Sequence, residues 1–428
     1  MNSRLRIIVT GLIAQHPTLA GVAWDYLQYV LGLHRLGHDV YYFEDSGEWP
    51  YTLDGGVSGD EWVARDCQTN LSHLSSVMKR FGLDDKWAYH FPTNSEWFGL
   101  SAAKRREVIQ SADLLINISG TLECPANYRQ IPRLVYIDSD PGFTQVKLML
   151  PDEHRDFCQR VEVHDLLFSF GESINKTALT AGREWIPTRQ PIVLSEWKSN
   201  SEVRPAFTTV MSWTSYQPLV LNGRRFGQKD LEFIRFIELP QLLDDQNLEV
   251  AINGTMHTNW ESGDGVIADV AQENQECGHI SELSQFLSQA GWRVADAGKV
   301  GATMDAYRDY IQSSLAEWSV AKHGYVVGNT GWFSCRSACY LASGKPVVVQ
   351  NTGFDGVLPV GEGILQFSTL EEAMEGISAV RNDYPTHARS ARQIASAYFD
   401  SEKILSRLVD ESMNKPSEVS FHRASNVQ

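Results

Sequence analysis

The pattern that most constrains this chain is an alternation of short apolar strands and amphipathic helices, which occurs twice. The first run opens with the apolar segment LRIIVT, the helical segment WDYLQYVLGLHRL and the strand HDVYYFED. Periodicity is lost over residues 187–206, which carry three prolines, and the alternation then restarts with FTTVMSW, LEVAIN, WRVADAG and AEWSVAK. Alternating strands and helices form parallel sheets covered by helices on both faces. The sequence therefore predicts an α/β protein with two such sheets.

The length of the chain supports the same division. At 428 residues it exceeds one ordinary core and suits two domains of roughly 200 residues each. We predict a Rossmann-like domain over residues 1–195, a second over residues 196–412, and a polar, flexible tail over residues 413–428. The two domains are expected to face each other across a cleft, with a hinge at 187–206 and the last helix packing back on the first domain.

Composition and charge exclude several classes of protein. The 53 acidic and 37 basic side chains give a net charge of −16, which argues against nucleic acid as a partner. The first apolar run breaks at His16 and Pro17, so it is a strand and not a signal peptide. No segment approaches the roughly 20 apolar residues of a membrane span, and the six cysteines form no CxxC pair. We expect a soluble, cytoplasmic protein, whose oligomeric state stays open.

The most informative motif is the block GWFSCRSACYLASGKPVVVQNTGF. Ser334 occupies the position of a helix N-cap, Gly344 that of the residue after the C-cap, and PVVVQ is a buried strand. The helix N-terminus presents free N–H groups and a positive dipole end, so it can bind an anion. Arg336 can add a forked contact to phosphate. Thr352 and Gly353 follow the next strand, at the edge where ligands of such sheets bind.

This block resembles the donor-binding block of GT-B glycosyltransferases, which contains a helix, the pattern A-small-G-x-P-V-V and a glycine-containing loop. Many members of the retaining, sucrose-synthase-like branch carry a glutamate on that helix. None is present here, and Arg336 resembles the arginine of the spore-protein-type glycosyltransferases.

The resemblance implies transfer of a sugar, expected to be a hexose, from a nucleoside-diphosphate sugar. The acceptor would be a hydroxyl or other nucleophile of a small molecule or glycan. UDP is the expected nucleotide, although the sequence carries no code for the nucleobase, the sugar, the acceptor or the stereochemistry. The donor would bind the second domain and the acceptor the first. No metal ion is implied, and no cofactor other than the nucleotide sugar as co-substrate.

Three further basic residues are candidates for the donor site. Arg225 and Lys229 lie in NGRRFGQKDLEF, where such enzymes often place a basic loop against the diphosphate. The alternative is a solvated turn that caps the next helix. Lys322, in AEWSVAKHGYV, is expected near the base and ribose of the donor, and the alternative is an ordinary strand residue.

The candidates for catalysis lie in the first half. His16 is in the loop after the first strand, where inverting members of the fold place a general base, and imidazole titrates near neutrality. Asp138 and Asp140, in YIDSDPGFTQ, end another strand and could orient a histidine, bind sugar hydroxyls or act as the base. The alternatives are a structural His16 and an Asp140 that caps a helix.

Two rival functions remain open. A sugar-nucleotide epimerase can use the same twin-domain fold, and a degenerate nucleotide-binding module can keep the fold without turnover. For the glycosyltransferase, replacing Arg336 with alanine is expected to reduce turnover strongly while leaving folding intact.

Overall fold

The computed structural model describes residues 4–51, 66–198, 202–243, 247–253 and 278–416. Within these ranges the chain forms an eight-stranded sheet in its first half and a six-stranded sheet in its second half. Except for one antiparallel edge strand in the first sheet, neighbouring strands of both sheets are parallel. The predicted α/β architecture of two sheets is confirmed.

The first sheet has the strand order β4-β3-β2-β1-β5-β6-β7-β8. Its strands are β1 Arg6–Thr10, β2 Asp39–Glu44, β3 Trp87–Phe91, β4 Glu96–Gly99, β5 Leu114–Ile118, β6 Arg133–Asp138, β7 Leu166–Ser169 and β8 Ile186–Pro187. The helices of this half are α1 Ala20–Arg35, α2 Gln68–Arg80, α3 Ala102–Ser111, α4 Phe143–Met149 and α5 Arg155–Glu162. Sequence reasoning did not find the antiparallel pair β3–β4, because EWFG in β4 has no buried residue and no apolar run.

The second sheet has the strand order β13-β12-β9-β14-β15-β16, and a separate hairpin pairs β10 with β11. The strands are β9 Phe207–Ser212, β10 Leu219–Leu221, β11 Arg224–Phe226, β12 Leu248–Asn253, β13 Arg293–Asp296, β14 Ala316–Ser319, β15 Val347–Gln350 and β16 Ile364–Phe367. Helices of this half are α6 Lys229–Phe233, α7 Leu239–Leu242, α8 Gly278–Gln289, α9 Ala297–Gly301, α10 Met304–Ser313, α11 His323–Gly328, α12 Cys335–Ala342, α13 Leu370–Asn382, α14 Tyr384–Ile394 and α15 Ser401–Asn414.

The end of the chain returns to the first half. After a π-helical turn at Ala395–Phe399, α15 packs on α1. Gly32 allows this approach, since a Cβ there would lie 2.4 Å from Leu405 Cδ1. Helix α15 continues to Asn414, so the first two residues of the predicted tail are helical. The rest of that tail lies largely outside the described residues, and the domain boundary at residue 195 stays a prediction.

The two halves are in direct contact beside α1. The Trp24 indole N–H donates to the Met304 carbonyl at 3.1 Å, and its ring packs on Trp197 with centroids 5.0 Å apart. About one turn after Trp24 on the same helix, Gln28 contacts the Cys339 sulfur on α12 at 3.9 Å. Helix α1 therefore lies against the elements that form the proposed anion site.

A helix that spans a membrane needs about 20 consecutive, mostly apolar residues. In the part of the chain that the structure describes, no helix combines sufficient length with a sufficiently apolar sequence. The cytoplasmic location stays a prediction.

Candidate functional site

Helix α12 has the free N-terminus that its sequence predicts. Ser334 has N-cap backbone angles and its side chain makes no capping hydrogen bond. The first bond of the helix runs from the Ala338 N–H to the Ser334 carbonyl, so the preceding N–H groups have no partner within the helix. At the other end Gly344 has a φ of +70° and its N–H donates to the Leu341 carbonyl. The anion-binding geometry is present.

A small cavity opens at this N-terminus, beyond the carboxyl ends of β14 and β15. It is lined by Ser319, Val320, Ala321, Trp332, Phe333, Ser334, Arg336, Ser337, Val349, Gln350 and Phe354. This is the edge of a parallel sheet where ligands of doubly wound folds bind. Two of the predicted donor residues, Ser334 and Arg336, thus face one cavity.

Arg336 is not a free cation. Its Nε donates to Glu317 Oε1 at 2.7 Å, and its Nη1 donates to the Val210 carbonyl at 2.7 Å. The Glu317 side chain is fully buried, and its Oε2 has no hydrogen-bond partner among the described residues. Removing Arg336 would leave a buried carboxylate unpaired, which is strongly destabilising. The expectation that alanine at position 336 leaves folding intact is therefore revised.

Lys229 is the basic residue at this site that lacks a counter-ion. Burial lowers its pKa well below 10.5, and the charges of Arg336 and Lys322 lower it further. Lys229 makes no hydrogen bond or ion pair within the described ranges, although Glu317 and Cys335 are near enough to act on it electrostatically. The predicted residues Lys229, Lys322 and Arg336 are thus brought together, and they form a positive region that an anion would stabilise.

Lys322 and Asp140, predicted separately for donor and acceptor sites, bind each other across the two halves. The Lys322 Nζ lies 3.1 Å from Asp140 Oδ1 and 4.3 Å from the centre of the Tyr216 ring. The hydroxyls of Tyr216 and Tyr325 donate to the same carboxylate. Burial favours a raised pKa for Asp140, but Lys322 and these donors hold it below its usual value. The carboxylate does not cap α4, whose N-cap is Gly142.

Asp138 has a structural environment. It is fully buried, and its Oδ2 accepts hydrogen bonds from Gln145 at 2.7 Å and Ser169 at 2.8 Å. Its Oδ1 accepts from the Asp140 N–H at 3.0 Å. Burial raises the pKa of Asp138 to about 6. These bonds hold the loop that carries Asp140, which favours a positioning role for Asp138 over the predicted roles of sugar ligand or base.

His16 is poorly suited to the role of a general base. Its ring stacks on Tyr51 with centroids 4.9 Å apart, and burial lowers its pKa to about 4. A general base works best with a pKa near the operating pH. The structure therefore favours the alternative reading of His16 as a structural residue.

Thr352 and Gly353 hold the loop before α12 instead of facing a ligand. The Thr352 hydroxyl donates to the Trp332 carbonyl, and the side chain is buried. The Gly353 N–H donates to Asn351 Oδ1 at 2.7 Å. Gly353 has a φ of +88°, and a Cβ there would lie 2.6 Å from Asn329 Oδ1. Their polar groups are used within the loop, so a direct phosphate contact is not supported.

Arg225 precedes Lys229 by four residues in the chain. It is an exposed residue of β11, in a hairpin where the sequence had suggested a loop. Burial lowers the pKa of His323, and the positive charge of Arg225 lowers it further. A contact between Arg225 and a diphosphate stays a prediction.

Asp25 on α1 is a site residue that sequence reasoning missed. Its carboxylate lies near the thiol of Cys335, the first residue of α12, and near Arg336, and both neighbours act on its pKa. Burial raises the pKa of Asp25 to about 7, against the lowering effects of these two neighbours. The available signal was a pair of polar residues, Asp25 and Gln28, three positions apart on an otherwise apolar helix.

Asp25 makes stability depend on pH. Its pKa of about 7 in the folded protein lies above the ordinary value of 3.8, so the folded protein holds this proton more tightly than the unfolded chain does. The contribution of Asp25 to the free energy of unfolding is therefore highest below about pH 4, where the carboxyl is protonated in both states, and it falls as the pH rises through 7 and the folded protein has to lose the proton. Asp25→Asn should therefore stabilise the protein more at pH 8 than at pH 5. Urea unfolding of both proteins at both pH values measures this, and the difference between them cancels other titrating groups such as Glu44 and Asp138. An equal effect at the two pH values would contradict it.

No group of three or more His, Cys, Asp or Glu side chains in the described ranges is arranged to hold an ion. Independence from metals stays a prediction.

The fold was compared with known proteins. No protein-family model matches the chain, and no curated protein matches it in sequence. HepE of Anabaena, solved with UDP and glucose, matches with a TM-score of 0.54 at 12% identity, over 96% of this chain and all of its own. An α-glucosyltransferase solved with UDP and a 13-mer DNA containing a HMU base matches with a TM-score of 0.53 at 11% identity, over 96% of this chain and all of its own. A glycosyltransferase from Rickettsia africae matches with a TM-score of 0.50 at 9% identity, over 97% of this chain and all of its own.

These similarities, together with the two parallel sheets, establish the class of the structure. The chain has the GT-B fold of the glycosyltransferases that it matches. The predicted fold class is confirmed. At such low identity the likeness shows the fold, and the reaction has to be argued from the site.

Proposed function

We propose that this protein is a glycosyltransferase that moves a hexosyl group from a nucleoside-diphosphate sugar to an acceptor hydroxyl. The observation that carries the proposal is the unpaired Lys229 beside the free N-terminus of α12. Lys229 is half-buried, and a partly desolvated cation without a paired carboxylate is unfavourable in the free protein, a cost that a bound diphosphate would relieve. The N–H groups of α12 and the positive end of its dipole add to the same attraction.

The arrangement would act chiefly on the leaving group. As the bond between sugar and diphosphate breaks, negative charge grows on the phosphate oxygens. Positive groups that are already in position, Lys229 and the N-terminus of α12, stabilise that charge without reorganising. Arg336 is fixed by Glu317, so it adds a positive charge of defined orientation. The Asp140–Lys322 contact joins the two halves near the site, where it would slow hydrolysis of the donor by limiting the access of water.

Asp25 is the proposed proton acceptor for the acceptor hydroxyl, in place of His16. It comes from the first half, reaches the N-terminus of α12 and has a pKa of about 7. Such a carboxyl is partly ionised at neutral pH and can accept a proton there. Retention or inversion of the anomeric centre does not follow from this placement.

UDP-glucose is the first donor to test, because HepE has been solved with it. The proposal predicts that UDP-glucose or another UDP-hexose binds and slowly releases UDP by hydrolysis when no acceptor is present. The same incubation separates the rival functions. An epimeric nucleotide sugar as the product would indicate an epimerase, and binding with no release of UDP under any acceptor would indicate a degenerate binding module. Failure of every nucleotide sugar to bind would contradict the proposal.

A further inference from the structure

A second cavity lies between the carboxyl ends of β7 and β8 and the start of α15. It has a volume of about 200 Å³ and shares no lining residue with the cavity at α12. Three segments far apart in sequence line it, with the residues Phe168, Glu172, Pro187, Thr188, Arg189, Ala397, Tyr398, Ile404, Arg407 and Leu408. No residue of this set has a role in the proposed transfer reaction.

The guanidinium of Arg189 is held in place at this cavity. It donates to Glu172 and lies 5.5 Å from the ring centre of Tyr398 and 5.6 Å from that of Phe399. The Arg189 side chain is only 14% exposed. Within the described residues its hydrogen bonding is confined to one terminal nitrogen, so the others remain able to donate to a ligand. A planar cation fixed in this way is suited to bind a phosphate or carboxylate.

Arg407 supplies a second guanidinium from α15. Its Nε donates to Glu411 Oε1 at 2.7 Å, which leaves the two terminal nitrogens for another acceptor. Burial raises the pKa of Glu172, and both Arg189 and Arg407 oppose that shift, so the two cations flank this carboxylate. The lining therefore holds two positive charges and one negative charge. Glu172 and Glu411 each pair with one of the arginines, so an anionic ligand would be recognised by the terminal guanidinium nitrogens that these pairs leave free, and Glu172 can accept a hydrogen bond from a hydroxyl group of that ligand.

The third wall is the π-helical turn Ala395–Phe399. Such turns are rare and occur frequently at functional sites. This one leaves Tyr398 37% exposed at the cavity, although large aromatic side chains are usually covered. An exposed aromatic ring beside charged groups offers an apolar face to a sugar ring.

We propose that this cavity binds an anionic monosaccharide. Its phosphate or carboxylate would lie on Arg189 and Arg407, a hydroxyl would donate to Glu172, and the sugar ring would lie against Tyr398. The volume is below the about 300–1,000 Å³ of sites for drug-sized ligands, so it suits one sugar unit and not a nucleotide sugar. This inference does not rest on the identity of the transfer reaction.

The test is calorimetric titration of the full chain with glucose 6-phosphate, glucuronate and glucose, without nucleotide. We expect one of the two anionic probes to bind at least about tenfold more tightly than glucose, which amounts to about 1.4 kcal/mol. The tighter anionic probe identifies phosphate or carboxylate as the recognised group. Glucose binding as tightly as both anionic probes would overturn the proposal, as would no binding of either.

A pair of variants locates the binding. Arg407→Gln removes one exposed guanidinium and should weaken the anionic probe at least about tenfold. Arg155→Gln, at an exposed arginine of α5 that does not line the cavity, should leave its affinity unchanged. Arg407→Gln should also bind UDP as the unmodified protein does, so failure at this cavity is distinguishable from failure at the donor site. Equal affinity of both variants for the probe would overturn the proposed location.

Discussion

Arg336→Ala is expected to lower the free energy of unfolding by about 3–5 kcal/mol, which is the usual effect of leaving one partner of a buried ion pair alone. The Glu317 side chain is fully buried, and Arg336 is the side chain that balances it at 2.7 Å. Urea denaturation followed by tryptophan fluorescence measures the loss. Activity of this variant cannot be interpreted without that measurement, because part of any decrease in turnover would reflect unfolding.

Two controls separate the ion pair from a general effect of substitution. Lys104→Ala breaks a surface pair with Glu107, whose side chains are 39% and 53% exposed, and should cost less than about 1 kcal/mol. The double variant Arg336→Ala with Glu317→Gln removes the unpaired charge and should recover part of the loss. A loss in Arg336→Ala no larger than that in Lys104→Ala would contradict the account of this pair.

Lys229→Met is expected to change stability and nucleotide binding in opposite directions. Removing a cation that lacks a counter-ion should raise the free energy of unfolding, by about 0.5–2 kcal/mol as for other stabilising changes at functional sites. Because the pKa of Lys229 is lowered in the folded protein, this gain is greatest at low pH and fades as the pH rises toward 10.5. UDP affinity should fall about 10- to 100-fold, as expected when a charged hydrogen bond is lost.

The measurements are urea denaturation and calorimetric titration with UDP on the same preparations. Lys229→Arg keeps the charge and should retain most of the affinity, while Lys104→Met should leave both quantities nearly unchanged. UDP affinity that is unaffected in Lys229→Met would remove Lys229 from the donor site. A loss of stability in the same variant would show that Lys229 has a partner in the free protein.

Local features of the donor site were accessible from the sequence. The N-cap at Ser334, the glycine at 344 and the buried strand after it depend on neighbouring residues, and the structure has all three. The grouping of Lys229, Lys322 and Arg336 was also predicted, because each lies in a segment that the sequence assigned to the donor site. The alternation of strands and helices is also a pattern of neighbouring residues, so it predicted both sheets.

Features that depend on contacts between distant segments were not accessible. The partner of Arg336 is Glu317 on a different element, and that of Asp140 is Lys322 in the other half of the chain. Asp25 reaches the site because α1, which packs on α10 and α15, passes close to the start of α12, and no local pattern encodes that approach. Burial likewise determined the pKa of His16, and the sequence of a loop does not report burial.

The most direct test of the donor site is a crystal structure of the protein with UDP. The account predicts that diphosphate oxygens lie within about 2.7–3.2 Å of backbone N–H groups of Cys335 or Arg336 and of the Lys229 Nζ. The nucleoside would then lie beyond the cavity at the carboxyl ends of β14 and β15, because that cavity has a volume of about 10 Å³ and is too small to contain it. A diphosphate bound elsewhere, for example between Arg189 and Arg407, with the N-terminus of α12 vacant, would contradict it.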